Sequence, residues 1–329
     1  MPCMDRFEAM QAFVRVVDTR SFTRAAQTLQ TSKTRVTQLI QQLEAHLRVK
    51  LLHRSTRRVG ATEAGAAFYA RAQRLLSDLD DAETSVSAAA TAPRGRLRVD
   101  VPAPFASLVL LPELAEFQVR FPEIKLDLGA SDRKVDLLDE NVDCVIRGGA
   151  LSEPSLRARH LADLSMGVYA APAYLERAGV PVSPAELEEG SHVVIGYRGS
   201  RIGLPPLHVL QQGEARYEVR GSQTLIVDDG NAYLAAGLAG LGVTWLPEYM
   251  ASAPLARGQL VRLFAGIWIE PMPLYLAYPQ GRHVSRKLRV FIDWVVELVS
   301  RQPVGFHPPQ QFLGGVSVDR NNAMPEGAS

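Results

Sequence analysis

Cysteine is nearly absent from this 329-residue chain: Cys3 and Cys144 are the only two, and they lie far apart. That excludes a disulfide scaffold and a CxxC-type zinc site, and it fits a reducing compartment. Long hydrophobic runs are missing too. The longest charge-free apolar stretch, Ala232 to Leu246, has 15 residues, contains three glycines and runs into Pro247. It is too short and too broken to span a bilayer. The first residues hold no apolar signal core, so a cytoplasmic protein without a membrane partner is expected. No GxSxG, no HExxH and no GxxxxGK followed by Ser or Thr occurs, and the seven histidines are dispersed. Neither an enzyme nor a metal or cofactor site is expected. What is present is ordinary for globular protein, 47% apolar and 22% charged, and the length suits about two domains.

The net charge of +1 hides an asymmetry. Residues 1–62 carry 11 Lys and Arg against 4 Asp and Glu, a local charge of +7, and the remainder carries 25 against 31, or −6. A basic head on an acidic body points to an anionic polymer as the partner of the head.

The head reads as three helices and a basic turn. Phe7, Met10, Phe13, Val14 and Val17 repeat at helical spacing. Ser21 can cap a second helix, Phe22 to Leu29, and Thr31 or Ser32 a third. In the third, Val36, Leu39, Ile40, Leu43 and Leu47 form the buried stripe. The opposite face shows Lys33, Thr34, Thr37, Gln38, Gln41 and Gln42, with Arg35 near its edge and no carboxylate before Glu44. Short polar donors of this kind suit base edges in a major groove. In Leu51-Leu52-His53-Arg54-Ser55-Thr56-Arg57-Arg58, three arginines on a turn suit phosphates. This layout is a winged helix-turn-helix, and a helical assembly module with a solvated polar face is the alternative.

The quoted elements occur in a familiar order. Phe13-Val14, Ser21-Phe22-Thr23-Arg24-Ala25-Ala26, Ser32 to Thr37, Ile40 to Glu44, Leu51 to Arg54 and Thr62-Glu63-Ala64-Gly65 together resemble the LysR-type transcriptional regulators. The resemblance is nearly unbroken through the first 65 residues and weakens toward residue 300. It implies a dimeric, sequence-specific DNA-binding domain joined to a ligand-sensing domain of the type 2 periplasmic-binding-protein fold. It places Lys33, Thr34, Thr37 and Gln38 at groove-facing positions and Arg54 at a backbone contact beside the wing. Ser21, Ser32, Arg35, Arg57 and Arg58 complete the candidate DNA-binding set. Three positions depart from the pattern. Arg20 and Arg48 stand where the family usually has glycine, at a cost of about 1 kcal/mol each if the backbone there is left-handed. Gln38 stands where arginine is frequent.

The expected organisation is a DNA-binding domain over 1–62, a linker over 63–92, an effector-binding domain over 93–302 and a disordered tail over 303–329. Thr62 can cap a linker helix running to about Ala90. Phe68, Ala72, Leu75, Leu79, Ala82 and Val86 recur at steps of four and three, an a/d seam that favours self-association over packing on its own domain. A homodimer or homotetramer is expected, with RNA polymerase as a further partner of the regulator reading.

In the body, strand and helix patterns alternate, so an α/β fold with a mostly parallel sheet is expected. The resemblance implies two lobes, about 93–165 with 266–302 and about 166–265. Ligands in such sheets sit at strand carboxyl ends and the helix starts that follow. The candidate effector-binding residues are Ala103, Pro104, Phe105, Ser107, Ser131, Asp132, Arg147, Gly148, Tyr197, Asp229, Asn231 and Trp245. Arg147 can fork onto a carboxylate or pair with a nearby acid such as Asp132. Phe105, Tyr197 and Trp245 suit an aromatic or quinone-like ligand or serve as core. Cys144, in an apolar strand, reads as an inert core residue. Two readings stay open. One is a ligand-responsive DNA-binding regulator that senses a carboxylate, aromatic or quinone-like compound. The other is a small-molecule-binding or catalytic α/β protein whose basic head serves assembly.

Overall fold

A computed structural model of the chain describes residues 5–54, 59–86, 92–133, 137, 140, 142–149, 153–189, 192–198, 208–212, 214–280 and 284–309. The side chains at 54, 77, 78, 80–86, 208 and 212 lie outside the described set. Two compact units divide the chain near residue 96.

The first unit opens with α1 (Arg6–Thr19), α2 (Phe22–Thr28) and α3 (Lys33–Leu47). Each starts on a side-chain cap. Asp5 accepts from the Phe7 and Glu8 amides, Ser21 from Arg24 N, and Ser32 from Arg35 N, which satisfies amides that the first turn leaves without partners. Their apolar stripes meet in one core of Phe13, Val16, Val36, Leu39, Ile40, Leu43 and neighbours. The strands β1 (Leu52–Arg54) and β2 (Val59–Ala61) pair antiparallel as the wing, with Leu52 opposite Ala61. α4 (Glu63–Val86) follows, capped by Thr62, whose hydroxyl accepts from Gly65 N at 2.9 Å. Gly65 has to be glycine. A Cβ there would stand 1.9 Å from the Leu51 carbonyl oxygen.

The second unit begins with β3 (Gly95–Val101), whose Leu97, Val99 and Val101 enter the core. A helical run follows without a break: α5 (Ala103–Phe105), a π-helical turn (Ala106–Leu110) and α6 (Leu111–Arg120). Pro112 lies inside this run and has no amide to offer the preceding turn, and the widened π turn accommodates it. Then come β4 (Ile124–Ala130), β5 (Cys144–Gly148), β6 (Leu156–Leu164), β7 (Met166–Ala170), α7 (Pro172–Ala178), α8 (Ala185–Glu188), β8 (Gly196–Tyr197), β9 (His208–Gln212), β10 (Ala215–Val219), β11 (Ile226–Val227), α9 (Gly230–Leu238), β12 (Thr244–Pro247), α10 (Glu248–Ala256), β13 (Val261–Leu263), β14 (Trp268–Ile269), β15 (Met272–Pro279), α11 (Arg286–Ser300) and β16 (Phe306–His307).

Lobe I is a six-stranded sheet in the order β16-β6-β15-β5-β3-β4. α11 lays Leu288, Phe291, Ile292 and Val295 on it, and Trp294 meets Phe117 at 5.0 Å between ring centroids. Lobe II holds the sheets β12-β7-β13, β10-β9-β14 and β11-β8. The expected mostly parallel sheet is not what forms. β3 and β5 run parallel, but β15 is antiparallel to both β5 and β6. The two long strands β6 and β15 carry the chain to and from the second lobe, so they enter the sheet in opposite directions. The outgoing crossover is Ser165, between β6 and β7. The return runs between Ile269 and Met272, because Trp268 and Ile269 still pair with β9 in lobe II.

The chain beyond 302 also departs from the expected disordered tail. Phe306 and His307 add an edge strand to β6, opposite Leu164 and Asp163, and the Phe306 ring lies 5.3 Å from Tyr249. Ser165 N donates to the Gly305 carbonyl at 2.9 Å. An aromatic residue and edge hydrogen bonds anchor a segment whose composition reads as loop. Residues 310–329 lie outside the described residues.

Candidate functional site

On α3 the Ser32 cap starts the helix so that Lys33, Thr34 and Gln38 face outward and Val36, Leu39 and Ile40 face in. Thr37 is half-buried, and its hydroxyl donates to the Lys33 carbonyl at 2.9 Å, which leaves the oxygen lone pairs as acceptors. The helix contains one acid, Glu44, and it is only 3% exposed. Its Oε1 accepts from the Leu51 and Leu52 amides at 3.0 and 3.2 Å, and Lys50 Nζ donates to Oε2 at 3.1 Å. Burial pushes the Glu44 carboxyl up, but the Lys50 ammonium and the two amides outweigh it, so it sits below the usual carboxylate range. The turn into the wing is thus tied to the end of α3, and the outer face of α3 carries no negative charge.

Three candidates have structural employment. Ser21 and Ser32 are caps. Arg35, expected at the edge of the DNA face, forks onto Glu8 of α1, with Nε–Oε1 at 3.2 Å and Nη2–Oε2 at 2.5 Å. Arg54 ends β1, while its side chain and residues Arg57 and Arg58 fall outside the described residues. Arg20 (φ 50°) and Arg48 (φ 55°) both adopt the left-handed conformation at the ends of α1 and α3, so the conditional cost attached to them applies.

Along α4, Phe68 packs on the core of the first unit, 5.6 Å from the Phe13 ring, and Ala72 is fully buried within the single chain. Tyr69 donates to Asp18 of α1, and burial followed by that carboxylate pushes its hydroxyl up to about 12. The first turns of the helix therefore pack on their own domain. Leu75 is 52% exposed and Leu79 half-buried. The Ala82 and Val86 side chains fall outside the described residues.

In the second unit the ends of β3 and β4 meet the start of α9. Asp132, just past β4, accepts from Ala103 N at 3.2 Å and from Gly230 N at 2.5 Å, and the Tyr197 hydroxyl hydrogen-bonds to it. Burial raises the Asp132 carboxyl, and the neighbouring Asp229 adds to this against the stabilising amides. Gly230 lies against Pro104: a Cβ there would stand 2.5 Å from the proline ring. Asp229 caps α9 through Ala232 N at 2.8 Å, and Asn231 is exposed. Tyr197 packs on Tyr233, ring centroids 5.3 Å apart. The Ser131 hydroxyl is buried with no hydrogen-bond partner among the described residues.

Arg147 is paired, but with Asp100 rather than Asp132. Nη2 donates to Asp100 and to the Arg133 carbonyl at 3.1 Å, and Nη1 donates to the Ile146 carbonyl. The Ser107 hydroxyl, expected to face an effector, lies within reach of the Ala103 and Pro104 carbonyls of its own helix, at 3.1 and 3.3 Å. Phe105 and Trp245 fill the cores of lobes I and II. Gly148 lies against the Met272 side chain. Burial pushes the Cys144 thiol far up, as expected of an inert core residue. Asp132, Ala103, Pro104, Tyr197 and Asp229 come together, while Phe105 and Trp245 turn into the cores. Two participants were missed. Asp100 holds Arg147, and the half-buried Tyr249 lies near Asp132 and Tyr197. Asp100 had a signal, a lone acid in an otherwise apolar strand end.

The same two-part organisation appears in known proteins. Residues 7–66 match the bacterial regulatory helix-turn-helix proteins of the lysR family, and residues 90–300 match the LysR substrate binding domain. An HTH-type transcriptional repressor of Pseudomonas aeruginosa is 38% identical over 300 residues, covering 91% of this chain and 94% of that protein. The HTH-type transcriptional regulator YhjC of Escherichia coli is 40% identical over 294 residues, covering 89% and 97%. Among solved structures, CrgA, a LysR-type regulator of Neisseria meningitidis, superimposes with a TM-score of 0.57 at 33% identity, covering 88% of this chain and 97% of that one. The Vibrio cholerae virulence activator AphB gives 0.54 at 26% identity, covering 88% and 98%. The chain belongs to the LysR family of transcriptional regulators, with a helix-turn-helix domain followed by an effector-binding domain.

Proposed function

We propose that Thr37 and Gln38 of α3 read base edges in the major groove of double-stranded DNA. In this reading Lys33, Thr34 and the wing arginines Arg54, Arg57 and Arg58 hold phosphates. The observation that carries it is the α3 surface: a run of Lys, Thr and Gln whose one acid, Glu44, is turned inward. A groove lined by phosphates repels an outward carboxylate, and this helix presents none. The protein acts in the cytoplasm, as a homodimer or homotetramer joined through the exposed part of α4, and works on RNA polymerase from its DNA site.

The cleft around Asp132, Tyr197 and Asp229 takes a small-molecule effector. The orphan Ser131 hydroxyl and the Tyr197–Tyr233 ring pair favour a ligand with a ring and polar substituents. Binding shifts the balance between two arrangements of the lobes, which requires that the ligand prefer one of them.

Fluorescence anisotropy with DNA from just upstream of the protein's own gene tests the first part. Preference over a scrambled duplex of about a thousandfold, with a steep salt slope, is expected. Thr37→Ala or Gln38→Ala is expected to reduce that preference by about 1–3 kcal/mol. Equal weak binding to both duplexes, unaltered by these substitutions, would overturn the assignment of α3.

A further inference from the structure

The cleft contains the equipment that binds a carboxylate, and this chain's own carboxylates already occupy it. Arg147 has the planar fork that would grip an anionic ligand, and Asp100 takes it. The amide at the start of the nine-residue helix α9, Gly230 N, donates to Asp132, which also takes Ala103 N and the Tyr197 hydroxyl. A second acid, Asp229, stands beside Asp132 and works against its ionisation. An anionic effector entering here meets two carboxylates and finds the Ala103 and Gly230 amides and the Tyr197 hydroxyl engaged. A ligand without negative charge that donates N–H or O–H meets oxygen acceptors instead.

We propose that Asp132 is a built-in plug that sets the charge of the effector. It refuses carboxylates and other anions, and it selects an uncharged or cationic hydrogen-bond donor. The inference rests on the reading of this cleft as the effector site and narrows the chemical class that the site takes. The plug also joins the lobes, since Asp132 follows β4 of lobe I and Gly230 opens α9 of lobe II. Residue 132 is therefore placed to couple what the cleft holds to how the lobes meet.

The test uses three probes of one shape and different charge: acetate, acetamide and acetamidinium. Each is added to the full chain against sodium chloride of matched ionic strength. Thermal unfolding is followed by tryptophan fluorescence, since Trp245, Trp268 and Trp294 all lie in the second unit. The parent chain is expected to show no stabilisation by acetate beyond that of chloride. Asp132→Ala removes the plug and exposes the two amides. It is expected to gain an acetate-specific rise, with an apparent affinity at least about tenfold above the parent's and above that for acetamide. Asp132→Ser keeps a small acceptor for one amide and serves if the alanine variant does not fold. A parent chain that binds acetate as well as the variants do would overturn the plug, and so would variants that gain nothing. Anisotropy with upstream DNA, run on the same preparations, reports separately on the regulator reading, so a failure of one is distinguishable from a failure of the other.

Discussion

Arg35 and Glu8 face each other fork to fork between α3 and α1, through two hydrogen bonds of 3.2 and 2.5 Å. The pair joins the first turn of α3 to the first turn of α1. It also neutralises a cation that sequence reasoning assigned to DNA. The Glu8 hydrogen bond, then its charge, holds the guanidinium more basic than usual. Glu8→Ala therefore releases a positive charge at the edge of the α3 face. The variant is expected to bind all duplexes more tightly, with a salt slope steeper by about one, as titrations at several salt concentrations would read. An unchanged slope would mean that Arg35 stays away from phosphate even when free.

Arg20 and Arg48 hold left-handed backbone where a Cβ is crowded by the neighbouring carbonyl. Arg20→Gly and Arg48→Gly are each expected to stabilise the first unit by about 1 kcal/mol. Hydrogen exchange of the α1 and α3 amides measures the gain. If either arginine also contacts phosphate, the same variant flattens the salt slope, and the two readouts separate backbone strain from binding.

Glu44 joins the end of α3 to the start of the wing through the Leu51 and Leu52 amides. Glu44→Ala leaves both donors buried without their acceptor, at a cost of about 1–3 kcal/mol. Faster exchange of those two amides is the expected signature. Its pKa is lowered in the folded chain relative to the unfolded value of 4.5. Its contribution is therefore complete above that value and is lost as pH falls through the lower folded one. Acid titration of wing amide protection is expected to show a step below pH 4.5 that Glu44→Gln abolishes.

Asp100 sits 7% exposed against Arg147. Asp100→Asn keeps the shape and removes the charge, leaving a half-buried guanidinium without its counterion. A loss of about 2 kcal/mol in the second unit is expected, read by tryptophan fluorescence in denaturant. No loss would mean that the Arg133 and Ile146 carbonyls suffice to hold Arg147.

Much of the first unit was legible because its determinants are local. Ser21 and Ser32 cap helices three residues ahead, and Thr62 does the same for α4, so each start is written within one turn. The stripe Val36, Leu39, Ile40 and Leu43 at helical spacing does enter the core. The hairpin of β9 and β10 went unread although Tyr217 and Val219 alternate with Arg216 and Glu218. The strand β6 went unread because two arginines and a histidine occupy a third of it.

The sequence by itself determined where helices begin, which faces are apolar and that a basic head precedes an α/β body. Each of these depends on residues a few positions apart, whose spacing and capping chemistry act before any tertiary contact exists. Only the tertiary structure decided which charges meet. Arg35 finds Glu8 across 27 positions, Arg147 finds Asp100 across 47, and Gly230 finds Asp132 across 98. Many acids can serve any one of these partners, and nothing in residue type ranks them. The packing of helices and strands brings one acid within hydrogen-bond distance and leaves the others in water. Here that choice pairs Arg35 with Glu8 at the edge of the polar α3 face, and it sets Asp100 on Arg147 and Asp132 on the Ala103 and Gly230 amides.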